Sequence, residues 1–356
     1  MKTLWKKVIL FFLIFAILFV SVQSKLRYKW EKDENMSIRM EQYESEPKDS
    51  IDVLYFGSSP IYAGLNPMFM WEQHGITSYN FAVSMQSALT TYYQIEYALK
   101  YQQPKAIVID LCALTQSRKA DDLIWEPVYR KVVETMPDKK IKWRMIKDIV
   151  KYNDKQTYSS YLFPLLRYHS RWNELTQWDF DEELWYKWYE SYRKGALLQT
   201  TIDEMVENNL ELNVGNENLT VDPINSLYYD KIIELCDKNN IMLIAVSMPR
   251  YDNSWDLSQQ RVTENYCEEN GIIYIDYSIP ERLQEIGLDF SKDFYNSGHL
   301  NIYGAKKVTE DLGKELKELA EFEDHSQDLR YEEWNKQLNA FQKDYAEKLE
   351  TVDRKE

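Results

Sequence analysis

Five short apolar runs, at 52–56, 79–82, 105–111, 241–247 and 272–276, are separated by stretches with helical spacing. Runs such as Ala106-Ile107-Val108-Ile109 lack the polar alternation of a strand with one wet face, so they predict strands buried on both sides. Amphipathic stretches at 87–102, 223–239, 256–270 and 302–319 supply the cover. Together they predict an α/β three-layer sandwich around a mainly parallel central sheet. In such sheets functional groups gather beyond the C-terminal ends of the strands. The span 115–222 breaks the alternation and is rich in Trp and Tyr. It reads as a helical insertion over the catalytic edge, a lid or docking surface. An aromatic-packed layer remote from the site is the other reading.

The chain has 356 residues, 44% of them apolar, enough for one large α/β domain with an insertion and a tail. Residues 8–22 form an apolar run broken only by Ser21, preceded by Lys2, Lys6 and Lys7 and followed by Lys25, Arg27 and Lys29. Leu4, Trp5 and Gln23 extend it toward the roughly 20 residues of a spanning helix. Val22-Gln23-Ser24 loosely resembles a signal cleavage site, but Val22 is bulky for one, so a retained anchor is expected. The organisation read from the sequence is an anchor at 1–24, a charged stalk at 25–50 and a body at 51–325. A charged amphipathic helix follows at 326–356, with Trp334, Leu338, Phe341 and Tyr345 at helical spacing; it either packs on the body or faces a partner. A single N-terminal anchor with no second span predicts an extracytoplasmic body.

A net charge of −15 argues against a nucleic-acid partner, which needs a basic surface. Three cysteines, Cys112, Cys236 and Cys267, make no disulfide framework and read as buried apolar residues. Four scattered histidines show no metal-ligand spacing, and no cofactor motif is present. Two segments carry chemistry. Gly57-Ser58-Ser59 follows the first apolar run, where glycine permits a tight turn that exposes Ser59 as a nucleophile. His299 lies in a Ser/Gly turn ahead of the 302–319 helix, placed to act as its base. The residue three before it, where an orienting aspartate would be expected, is Asn296.

Both segments resemble the SGNH/GDSL hydrolase superfamily, whose sandwich is flavodoxin-like. Its first block, Gly-x-Ser after the first strand, is matched by Gly57-Ser58-Ser59; its last, Asp-x-x-His before the final helix, is matched at His299 but with Asn296 at the acid position. The Gly-Ser-Ser-x-x-x-x-Gly form (Gly57 to Gly64), the ending His-Leu-Asn-x-x-Gly-Ala (His299 to Ala305) and the anchor are similar to the membrane-anchored cell-envelope branch, with its DltD-like and AlgJ/AlgX-like proteins. The resemblance covers about residues 50–320. It implies a serine esterase or O-acyltransferase acting on a teichoic-acid-like polymer or exopolysaccharide, with a membrane-bound O-acyltransferase of the MBOAT type as partner. It implies an oxyanion hole after the second strand, where Ser84 N–H or Met85 N–H and the Gln86 amide stand; Gly57 belongs to the same cradle. The family's third-strand asparagine has no counterpart in Asp110-Leu111-Cys112-Ala113. Three readings of Asn296 stand: a Ser59–His299 dyad with Asn296 orienting the ring, a charge supplied by Asp293, or a weakened relative that binds as an accessory protein.

Overall fold

The computed structural model describes residues 2–30, 34–115, 125–153, 155–187, 189–203, 219–250 and 257–352. Helix α1 (Lys2–Leu26) leads to α2 (Met36–Ser45). Strand β1 (Val53–Phe56), helices α3 (Ser59–Gly64) and α4 (Pro67–His74), β2 (Ser78–Asn80), α5 (Ala88–Ala98) and β3 (Ala106–Ile109) follow. The insertion contributes α6 (Trp125–Thr135), α7 (Lys139–Tyr152) and the one-turn helices α8 (Tyr158–Leu162), α9 (Pro164–Tyr168) and α10 (Glu183–Lys187). The chain then runs through α11 (Pro223–Lys238), β4 (Met242–Ser247), α12 (Leu257–Asn270), β5 (Ile273–Asp276) and α13 (Pro280–Glu285). A hairpin of β6 (Phe294–Asn296) and β7 (His299–Leu300) precedes α14 (Ile302–Leu319) and α15 (Glu332–Val352).

The five long-range strands form one parallel sheet in the order β2-β1-β3-β4-β5, with Leu54 paired to Tyr79 on one side and to Ile107 on the other. Alternate side chains leave by opposite faces. Leu54, Phe56, Ile107 and Ile109 join α5, α7 and α11 through Ile95, Met145 and Ile232. Val53, Tyr55, Val108 and Ile244 meet α3 and α14 through Ile61, Val308, Leu312 and Leu316. The α/β three-layer class read from the sequence is the observed fold. The strands at 79–82 and 105–111 are shorter than expected, and β3 stops where Asp110 turns toward the β1–α3 loop.

The order reverses at β1, whose chain leaves toward β2 and returns to β3 on the other side. That reversal opens a crevice beyond the C-terminal ends of β1 and β3, the usual place for a site in such sheets.

Residues 25–50 are not a stalk throughout. In α2, Met36, Met40 and Tyr43 recur at helical spacing and are at most 1% exposed within the main core. The charge that suggested a stalk is accommodated: Arg39 is buried and donates to the carbonyls of Asn80 and Ala82 at 2.6 and 3.0 Å. The insertion is divided. Helices α6 and α7 pack on α5 and α2, while α8 to α10 gather at the foot of α1. Residues 194–203 run as a strap from α3 to the β6–β7 hairpin, where a helical lid over the edge of the sheet is the expectation. The terminal helix α15 packs on the body, with Trp334 against Trp71 and Phe341 against Phe69. Helix α1 is long and apolar enough to cross a membrane, and its apolar side chains are exposed.

Candidate active site

Gly57 has φ +132°, a conformation L side chains avoid, and a Cβ there would lie 2.7 Å from Asp110 Cγ. The glycine therefore lets the loop after β1 run against the carboxylate that ends β3. Asp110 Oδ2 accepts from the Ser58 N–H at 2.7 Å and the Ser58 hydroxyl at 2.6 Å, and Oδ1 accepts from Cys112 N–H. Ser58 is thus committed to the turn, and Ser59, the first residue of α3, turns its hydroxyl to the crevice. Helix α3 is held from the β2 side by buried Asn80, whose Nδ2 donates to the Ile61 and Leu65 carbonyls at 3.0 Å each.

From the other side comes the β6–β7 hairpin. His299 Nε2 lies 2.7 Å from Ser59 Oγ, and His299 Nδ1 lies 2.8 Å from Asn296 Oδ1. The same Oδ1 accepts the Gly298 N–H at 3.0 Å. A backbone N–H only donates, so that bond identifies the facing atom of Asn296 as its oxygen. Nδ1 must then carry the proton, Nε2 presents its lone pair, and the Ser59 hydroxyl donates to it. Tyr295 stacks on the imidazole with ring centres 5.4 Å apart.

The hairpin is fastened by Asn301, which is 1% exposed. Its Oδ1 caps α14 at Tyr303 N–H, and its Nδ2 donates to Lys292 O at 2.6 Å and Phe294 O at 3.2 Å. A third bond runs from Nδ2 to Thr201 O at 3.2 Å. The strap bearing Thr201 also joins Leu197 N–H to Tyr62 O on α3, Gln199 O to Ile302 N–H, and Asp203 N–H to Phe294 O. It therefore ties the helix that begins at Ser59 to the hairpin that carries His299.

Four residues of the expected site are placed differently. Asp293 is fully buried and accepts from Asp289 N–H and Lys307 Nζ at 2.6 Å each; neither oxygen bonds the imidazole. It is a salt-bridged turn residue, and the atom that meets the imidazole is the Asn296 oxygen. Ser84 N–H donates to Glu34 Oε2 at 3.3 Å, and the buried Gln86 amide is paired with Gln94 on α5. Both donors are engaged by other partners, Ser84 N–H by Glu34 and Gln86 by a residue of α5. Gly57 serves close approach to Asp110, with its carbonyl bound by Val83 N–H. The Ser59 N–H makes no hydrogen bond among the described residues and remains able to donate. Burial, with Asp110 as the next cause, pushes the Cys112 thiol up to about 12, so it is no thiolate at neutral pH.

Asp110, Asn80 and Arg39 were not read as site residues. Asp110 directly follows the apolar strand β3, and that placement was the available signal; Asn80 lies inside the 79–82 run, where the pattern does not mark it.

The sequence matches no family model and no curated protein. Among solved structures it is similar to a proposed acylhydrolase from Bacteroides fragilis, with TM-score 0.36 and 10% identity over 82% of this chain and 99% of that one. It is also similar to a gut microbial diltiazem-metabolizing enzyme, with TM-score 0.36 and 9% identity over 77% of this chain. That match spans 48% of the enzyme, so the chain corresponds to about half its length.

Proposed function

We propose that the protein is a membrane-anchored, extracytoplasmic serine esterase or O-acyltransferase. The observation that carries this reading is the Ser59 Oγ to His299 Nε2 contact of 2.7 Å, with Asn296 fixing the tautomer that leaves Nε2 basic. Ser59 Oγ attacks the carbonyl carbon of an acyl donor while its proton passes to Nε2. The tetrahedral oxyanion is met by the Ser59 N–H. Collapse expels the donor alcohol, which takes the proton back from Nε2, and leaves an acyl-serine. A second hydroxyl, from water or a sugar, attacks the acyl-serine carbonyl while its proton passes to Nε2; the bond to Ser59 Oγ then breaks and Oγ takes that proton back. A cell-envelope polymer or exopolysaccharide as acceptor, and a membrane-bound O-acyltransferase as supplier, are proposed from the sequence resemblance together with helix α1.

Ser59→Ala is expected to abolish p-nitrophenyl acetate turnover and fluorophosphonate labelling. Ser58→Ala, which removes the hydroxyl held by Asp110, should still label. Labelling that survives Ser59→Ala would exclude the mechanism.

A second reading is supported by the engaged Ser84 N–H and Gln86 amide: a weakly active accessory protein that holds the polymer or the acyltransferase. Loss of one oxyanion donor typically costs about 100- to 1,000-fold in rate. In that case Ser59→Ala leaves polymer acylation in cells unchanged.

A further inference from the structure

The apolar run at 8–22 is 15 residues long, about 22 Å of helix at a rise of about 1.5 Å, against a hydrocarbon core of about 30 Å. Extending it to Leu4 still brings the lower boundary of the hydrocarbon to the level of Val22 and Gln23. The body already touches α1 above that level: Phe163 lies 6.5 Å from the ring of Phe19, one turn inside the run. Leu165 N–H reaches Gln23 Oε1 at 3.5 Å, and Arg171 Nη1 donates to the Leu26 and Arg27 carbonyls at 2.8 Å each. These bonds fix α9 and the turn after it to the foot of the helix.

The same segments carry large apolar side chains that stay exposed among the described residues. Leu162, Phe163, Leu166, Trp172 and Phe180 are between 45% and 72% exposed. Lys25 lies over the Phe180 ring, 5.5 Å from its centre. With Lys29, and with Arg27, which also pairs with Glu134 at 3.6 Å, it places cations beneath the run in a chain whose net charge is −15. Aromatic and aliphatic side chains at the end of a short apolar helix, with cations at the same level, match the two faces of a bilayer interface.

We propose that this collar is a membrane-seating surface, on which α8, α9 and the 169–180 segment rest against lipid, so the body lies on the bilayer rather than standing off it. The proposal rests on α1 being retained and inserted, as in the function proposed above. The occupant is lipid because the collar is continuous with α1 and begins at the depth where hydrocarbon ends.

The full chain is reconstituted in nanodiscs of phosphatidylcholine and phosphatidylglycerol and labelled with an environment-sensitive fluorophore at introduced thiols. Half-buried Cys112 is replaced (Cys112→Ser) in every labelled variant, and Cys236 and Cys267 are buried with thiols pushed up to about 12, which keeps them from competing. Phe12→Cys reports insertion of α1, Leu166→Cys and Phe180→Cys report the collar, and Leu329→Cys, at an 86% exposed position, reports water. The collar labels are expected to be blue-shifted, quenched by lipid-borne nitroxide and several-fold less quenched by iodide than the Leu329 label. If Phe12 is in lipid while the collar labels are as open to iodide as Leu329, the collar proposal is overturned and the anchor stands. Collar labels shielded from both quenchers would mean that a protein covers them, which also overturns it. A Phe12 label in water removes the anchor and this proposal together.

Discussion

The Gly298 N–H sets the chemistry of the amide at position 296. In serine proteases an Asp-to-Asn change at the orienting acid costs about 10⁴ in turnover because the ring adopts the wrong tautomer. Here the bond to Gly298 turns the Asn296 oxygen to the ring, so the tautomer is kept and only the charge is missing. A hydrogen bond to a charged group exceeds a neutral one by roughly 1–1.5 kcal/mol, about tenfold in rate. Asn296→Asp is therefore expected to raise kcat for p-nitrophenyl acetate by about tenfold, far short of 10⁴. Asn296→Ala, which frees the tautomer, should lower it by about 10³ or more. A gain near 10⁴ from the aspartate would contradict the Gly298 argument. The motif His299 to Ala305 divides in the same manner. His299 faces Ser59, Leu300 enters the core, Asn301 ties hairpin to helix, and Gly304 allows contact, since a Cβ there would sit 2.5 Å from Asp293 O. Gly304→Ala is expected to cost about 1–3 kcal/mol in urea unfolding and to reduce esterase rate by shifting His299.

Among the elements, α7 has a measurable electrostatic start. Asp138 caps it by accepting from Lys140 and Ile141 N–H at 2.8 and 2.9 Å, and it pairs with Lys100. The Lys100 ammonium, followed by the Ile141 N–H, lowers the Asp138 carboxyl to about 2. A group depressed in the folded state stabilises above its ordinary value of about 3.9, and that contribution is lost as pH falls toward 2. Asp138→Ala should cost about 1 kcal/mol at pH 7 and flatten the acid dependence of stability between about pH 4 and pH 2, followed by far-UV circular dichroism. The elements also mark what the sequence made legible. Val and Ile runs at β1, β3 and β4 were readable because strands buried on both faces carry no polar alternation. Helix α2 was obscured by Arg39, Glu41 and Glu44, although Met36, Met40 and Tyr43 already kept a helical period. That Asn296 rather than Asp293 faces His299 depends on the β6–β7 register, whose irregularity between Phe294 and Asn296 leaves no mark in the pattern. Gln86 pairs with Gln94 on α5, a contact set by how the loop after β2 folds.

Across the whole molecule, the charged terminal segment is part of the structure. Trp334 is 3% exposed, 5.4 Å from Trp71, with Lys194 of the strap over its ring at 4.6 Å. Trp334→Ala is expected to cost about 3–5 kcal/mol and to lower Tm, while a substitution at exposed Lys343 should leave Tm unchanged. The strap links Ser59 and His299, residues 240 positions apart, through bonds that form only when 194–203 and the final hairpin have both arrived. During synthesis Ser59 leaves the ribosome long before His299 exists. A nascent or broken polypeptide cannot form their contact, so any chemistry that depends on it waits for the completed chain.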